Sequence, residues 1–212
     1  MSLPCNLISS QAFSGRRRGD ICMFARTQRL LLRPGWKEDA PALAAAINDF
    51  SVVGKLARAP WPYRQEDAEA FLAADRGPLP DFLMFARTHG APRLVGGIGL
   101  SECDDGVELG YWIARPYWGL GFATEAGRAV VDLADRGLRL PRLIAGHFAD
   151  NPSSARVLQK LGFAAAGTVS NRACRARNSV ERCIDYVRPA FARSRPAPAH
   201  GIGYDREDAI AA

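Results

Sequence analysis

The sequence predicts a mixed α/β domain of the α+β kind, a mostly antiparallel central sheet of about seven strands flanked by about four helices. Three observations carry that expectation. Three β-rich runs follow one another between residues 81 and 114 with only turn residues between them, which is a meander and not a βαβ unit. On either side the apolar period lengthens from two to about 3.6, at residues 39–75 before the meander and at 121–136 and 151–161 after it. With 212 residues, 48% of them hydrophobic and 24% charged, the chain holds enough apolar material for one full core and too much for a disordered polypeptide.

Each element follows from local chemistry. Gln28–Arg33 reads as a strand, and Asp39 before Ala40 and Pro41 reads as the N-cap and first turn of a helix through Ala46. The Pro60–Trp61–Pro62 break precedes a second helical stretch, Tyr63–Asp75. Asp81–Arg87, Arg93–Leu100 and Val107–Ala114 form the meander, turned at His89–Gly90 and at Asp104–Asp105–Gly106. Gly121–Arg136 sets Phe122, Ala126, Ala129, Val130 and Leu133 on one helical face and Thr124, Arg128, Asp132 and Asp135 on the other. Arg142–Phe148 is a strand, Asn151–Leu161 a helix, and Phe163–Val169 with Val180–Val187 close the domain as strands. The working domain is placed at 26–192, between a flexible extension (1–25) and a Pro-, Ala- and Gly-rich tail (193–212).

Composition excludes several classes. No apolar stretch reaches the roughly 18–20 residues of a membrane span, and Arg16–Arg18 is not followed by a secretory apolar region, so the expectation is a cytoplasmic protein with no membrane partner. The five cysteines are scattered without C-x-x-C spacing, and the three histidines have no paired spacing, so no metal site is expected. The net charge of +6 is concentrated in residues 1–29 and 172–195, not in a core motif, which argues against nucleic-acid binding as the primary role.

The informative stretch is Val107–Ala126, a strand, a glycine-containing loop and a helix start. Gly119 and Gly121 permit close approach of backbone to a ligand, and the free N–H groups of a helix's first turn form an anion site. The same pattern also suits a plain tight connection. It is not a Walker loop, since none of Lys37, Lys55 and Lys160 has the required spacing, and Thr124 stands where a dinucleotide fingerprint needs its third glycine.

The loop Trp118-x-x-Gly121-x-Ala123 resembles the Q/R-x-x-G-x-G/A acetyl-coenzyme A motif of the GNAT superfamily of N-acetyltransferases. The surrounding E-L-G-Y-W-I and Y-W-G-L-G-F-A-T-E-A, Asn151-Pro152-x-Ser154, Leu158-x-Lys160-Leu161-Gly162-Phe163 and the opening Thr27-x-Arg29-Leu30-x-Leu32-Arg33 are similar to the ribosomal-protein-alanine acetyltransferase (RimJ/RimL-like) subgroup. Trp118 departs from the superfamily's Gln or Arg but is usual in that subgroup.

The resemblance implies a GNAT fold splayed between its fourth and fifth strands, with acetyl-CoA as cosubstrate. It places the pyrophosphate on Gly119, Leu120, Gly121, Phe122, Ala123 and Thr124, next to Trp118, and the pantetheine arm along Trp112, Ile113 and Ala114 through main-chain bonds. It assigns Asn151 to the coenzyme arm, although that residue is also fully explained as a helix N-cap before Pro152. Glu108 is the leading candidate for the base and Ser154 for the group that protonates the thiolate. Glu102 and Asp150 are lesser base candidates, and His147 reads as a structural strand histidine.

The implied activity is transfer of acetyl to a primary amine by direct attack in a ternary complex. The acceptor is a ribosomal or other protein N-terminus or a small-molecule amine, and exposed edges at the last hairpin leave room for a homodimer. Two alternatives stay open at this level: a non-catalytic acyl-CoA-binding regulatory module, and an RNA- or ribosome-binding adaptor using Arg172, Arg175 and Arg177.

Overall fold

A computed structural model describes residues 24–189 except Arg76 and His89. The expected tail at 193–212 lies outside the described residues, as does the expected extension save its last two positions. Among the described residues eight strands are present: β1 (Ala25–Arg26), β2 (Leu30–Arg33), β3 (Asp81–Ala86), β4 (Arg93–Cys103), β5 (Gly106–Ile113), β6 (Arg142–Phe148), β7 (Ala164–Cys174) and β8 (Ser179–Pro189). Five helices accompany them: α1 (Ala40–Ile47), α2 (Phe50–Val53), α3 (Gln65–Ala73), α4 (Phe122–Asp132) and α5 (Pro152–Lys160).

The strands make one sheet in the order β1-β2-β3-β4-β5-β6-β8-β7. Every neighbouring pair is antiparallel except β5 and β6, which run parallel. The alternating side chains of the strands feed two cores. α4 and α5 cover one face, where Leu30, Leu32, Met84, Ile98, Leu143 and Leu158 are buried. α1 and α3 cover the other, with Leu43, Ile47 and Ala68 against Leu83, Phe85 and Leu94. Each of the Leu, Ile, Met and Phe side chains among these contributes roughly 1.5–3 kcal/mol through burial.

The architecture agrees with the expected fold, with five local differences. The eighth strand is the two-residue β1, too short to give a periodic signal. The fifth helix is the single turn α2, started where the Asp49 carboxylate accepts from the Ser51 N–H. Asp39 does not cap α1; its carboxylate takes the Trp36 N–H at 2.8 Å and the Arg33 guanidinium at 2.7 Å on both oxygens. The long helix expected to Arg136 ends as regular α-helix at Asp132 and continues through a wider π-type turn, Leu133–Leu138. That turn is tied to β8 by a two-pronged Arg188–Asp135 ion pair at 2.9 and 2.8 Å. Finally, the closing hairpin is longer than its apolar runs suggest, with eleven residues in each strand.

Candidate functional site

β5 and β6 are bridged at one register position, Glu108 opposite Ile144. Beyond it, toward Ile113 on one strand and Phe148 on the other, no ladder joins them, and a gap opens at the C-terminal ends of both strands. β5 remains fully paired to β4, with the Ala114 N–H donating to the Val95 carbonyl at 2.9 Å. Antiparallel pairing alternates, so the Ala114 N–H and the Trp112 main chain are spent on β4 while Tyr111 and Ile113 direct their main-chain groups to the gap. Of the three residues expected to bond through the main chain, Ile113 faces the gap, Trp112 is turned to β4 and Ala114 gives its N–H to β4; Tyr111 joins Ile113 at the gap. The Trp112 side chain lies on the sheet face opposite Tyr111, packed against the α1–α3 core.

The glycine loop stands at the mouth of this gap. Gly119 and Gly121 both adopt left-handed backbone, at φ 77° and 81°, and a Cβ on Gly119 would meet nothing within 4 Å. Gly121 is the N-cap of α4 and has no side chain to satisfy the first-turn N–H groups, which leaves them for an anion. The Trp118 indole N–H donates to the Ile113 carbonyl at 2.7 Å, so this side chain anchors the loop to the end of β5. Trp118 and Leu120 are about half exposed, Phe122 is buried, and Ala123 and Thr124 are half-buried in the first turn.

The two faces of the gap carry different chemistry. On the α4–α5 face, the Tyr111 hydroxyl lies 2.7 Å from the Ser154 hydroxyl on α5, while Asn151 caps that helix by accepting from the Ser154 N–H at 3.4 Å. Burial pushes the Tyr111 phenol up to about 12, against the opposing hydrogen bond from Ser154, so it stays protonated. On the other face the Glu108 carboxylate forms an ion pair with Arg172 of β7, and Arg172 also lies 3.5 Å from Asp185 of β8. Burial would lower the Arg172 pKa, but the Glu108 hydrogen bond and charge raise it, so the guanidinium is held charged. Gly110, on the Glu108 side, has open space where a Cβ would stand. A group threaded through the gap would meet Glu108 from one side and Ser154 from the other.

The remaining candidates separate cleanly. His147 is buried on β6 with Nδ1 2.8 Å from the Phe148 carbonyl, a satisfied strand histidine. Asp150 pairs with Lys55 at 2.6 Å and Arg177 at 2.8 Å; burial would raise its pKa, but these cations hold it below the usual range. Glu102 is exposed. Arg172 and Arg177 are engaged in internal ion pairs and only Arg175 of that cluster is exposed, so the expected basic surface is mostly spent within the fold. Sequence reasoning missed Tyr111 and the Arg172 partnership. The E-L-G-Y-W-I stretch contains the tyrosine, but only the phase of the strand shows which way it points. Among the described residues no helix is long and apolar enough to cross a membrane, and no group of three or more His, Cys, Asp or Glu is placed to hold a metal ion.

Comparison with known proteins agrees with this geometry. The acetyltransferase (GNAT) domain family matches residues 29–164. The chain is 38% identical to the uncharacterized N-acetyltransferase YoaA of Bacillus subtilis over 155 residues, 68% of this chain and 84% of that protein. It is 40% identical to the probable N-acetyltransferase YjcK of the same organism over 75 residues, which is 34% of this chain and 41% of that protein. Its fold is similar to that of RimL, a ribosomal L7/L12 alpha-N-protein acetyltransferase solved with coenzyme A, at a TM-score of 0.65 and 19% identity over 77% of this chain and 96% of that one. A single-bridge gap beside a glycine loop, and a family match across both, make this chain a member of the GNAT acetyltransferase family.

Proposed function

We propose that this protein transfers acetyl from acetyl-CoA to a primary amine, a protein N-terminus or a small-molecule amine, by direct attack while both are bound. The observation that carries the reading is the gap with polar groups on its two faces: Glu108 with Arg172 on one, Ser154 with Tyr111 on the other. The residues present suit the cosubstrate. Gly119–Thr124 offer unpaired N–H groups and an open backbone to a pyrophosphate, and the gap edge of β5 offers main-chain groups to an extended amide-bearing arm.

Acetyl-CoA supplies an activated acyl group; the protein's residues position it and manage protons. An N–H on the gap edge, at Tyr111 or Ile113, polarises the thioester carbonyl and stabilises the developing oxyanion. Glu108, paired with Arg172, draws the amine's proton through water, and Ser154, oriented by the protonated Tyr111 hydroxyl, hydrogen-bonds the departing sulfur. Asn151 holds the first turn of α5, and so the Ser154 hydroxyl, at the mouth of the gap.

The test is titration calorimetry with acetyl-CoA followed by release of free thiol across a panel of amines and short peptide N-termini. The expected result is saturable binding and thiol release that depends on the amine. Binding without release from any amine would favour a regulatory acyl-CoA module, and no binding by the folded protein would overturn the cosubstrate assignment.

A further inference from the structure

Thr27 and Arg29, at the entry to β2, lie nearly a hundred residues from the glycine loop in sequence, yet they meet it in space. Glu125, in the first turn of α4, is the meeting point. Its Oε1 accepts from the Thr27 hydroxyl at 2.5 Å and the Arg29 N–H at 2.8 Å, and its Oε2 accepts from Arg29 Nε at 2.7 Å. The same guanidinium donates through Nη1 to the Leu120 carbonyl at 3.0 Å and lies 4.6 Å from the centre of the Phe122 ring.

This arrangement resolves a conflict. A carboxylate in the first turn suits a helix by itself, but it repels any phosphate bound to that helix N-terminus. Here both carboxylate oxygens are taken up by Thr27 and Arg29, and the Arg29 charge cancels that of Glu125. The peptide plane adds a second effect. Leu120 lies between two left-handed glycines, which leave the loop many conformations. Because the peptide unit is rigid and trans, fixing the Leu120 carbonyl toward Arg29 turns the Gly121 N–H the opposite way. The Gly121 carbonyl is fixed in turn by the Glu125 N–H at 3.0 Å.

We propose that Arg29 is a positioning residue for acetyl-CoA: with Glu125 and Thr27 it locks the Gly119–Phe122 backbone so that its N–H groups converge on the pyrophosphate, and it neutralises Glu125 beside that group. This rests on the reading that acetyl-CoA occupies the loop. The prediction is specific to the phosphate half of the donor, because the pantetheine arm lies along β5 and does not touch this network.

The experiment compares the full chain with Arg29→Ala, Arg29→Lys and Arg29→Ala/Glu125→Gln, using acetyl-CoA and S-acetylpantetheine, which lacks the pyrophosphate, as alternative donors. Arg29→Ala should raise the KM for acetyl-CoA roughly tenfold or more, the effect of losing a charge-assisted hydrogen bond, with kcat and the KM for S-acetylpantetheine nearly unchanged. Arg29→Lys should recover only part of the loss, since an ammonium cannot bridge Glu125 and Leu120 as a fork does. Removing the stranded carboxylate in the double variant should lower the acetyl-CoA KM relative to Arg29→Ala. A KM that rises equally for both donors, or an unmoved acetyl-CoA KM with a lowered Tm, would make the network a structural tie and overturn the proposal. Should Arg29→Ala not fold, the same donor comparison on Arg29→Lys decides. A wild-type protein that uses S-acetylpantetheine but shows no preference for acetyl-CoA overturns the positioning role, whereas one that binds neither donor overturns the underlying reading.

Discussion

Tyr111 shows how much one side chain's surroundings decide. Its ring points into the α4–α5 core and its hydroxyl is shared with Ser154, and burial raises its pKa from 10.0 to about 12. In the unfolded chain the phenol ionises near pH 10, while in the fold it holds its proton, so the stability it contributes is complete below pH 10 and lost between about 10 and 12. Tyr111→Phe should therefore flatten the alkaline limb of a plot of urea midpoint against pH relative to wild type. The buried Cys183 thiol, also pushed up by burial, is common to both proteins and cancels in the comparison. Equal slopes above pH 10 would mean that the phenol is not held neutral by the fold. Glu125 is the opposite case. Burial raises its pKa, but the bonds from Thr27 and Arg29 outweigh that and hold it low, so its contribution is present at neutral pH and lost on acidification.

At the scale of elements, the loop and α4 are the unit to disturb. Gly121 sits at φ 81°, a conformation costly for any side chain and most costly for a β-branched one. Gly121→Val should abolish detectable acetyl-CoA binding by calorimetry while far-UV circular dichroism stays native, because the strain falls on the loop and α4 is held by its buried Phe122, Ala126 and Val130. Retained binding would mean that this peptide does not contribute to the cosubstrate site. Here sequence reading did well. The loop glycines, the amphipathic face of α4 and the Asn151–Pro152 start of α5 are signals within a dozen residues, and the structure places them where those signals point. Reading failed where the determining partner was distant or the phase of a ladder mattered. Glu108 meets Arg172 across 64 positions, Glu125 meets Arg29 across 96, and the direction of the Trp112 main chain follows from which β4 residue it pairs with. The Asp39 cap failed for a related reason: Arg33 and the Trp36 N–H compete for the same carboxylate and win it.

The molecule as a whole was legible in its order of elements, because short turns force the meander to be sequential and each amphipathic helix must cover a sheet face. The splay was not, since it came only from the family resemblance; an unmade ladder leaves no trace in composition. It has a mechanical meaning. Among the described residues a single strand-to-strand bridge, Glu108 to Ile144, continues the ladder between a five-stranded half-sheet and a three-stranded one. The amides of Tyr111 and Ile113 face that seam, so in the free protein they should exchange with deuterium faster than their neighbours on β4. Saturating coenzyme A should slow them and, by the same act, slow the facing amides of β6, as ligand excess of about a hundredfold over Kd adds roughly 2.7 kcal/mol to the folded state. Exchange mass spectrometry showing no change along β5 and β6 would leave the seam irrelevant to the ligand. On this view the protein is built one strand short, and the cosubstrate lends it the missing backbone for the length of a turnover.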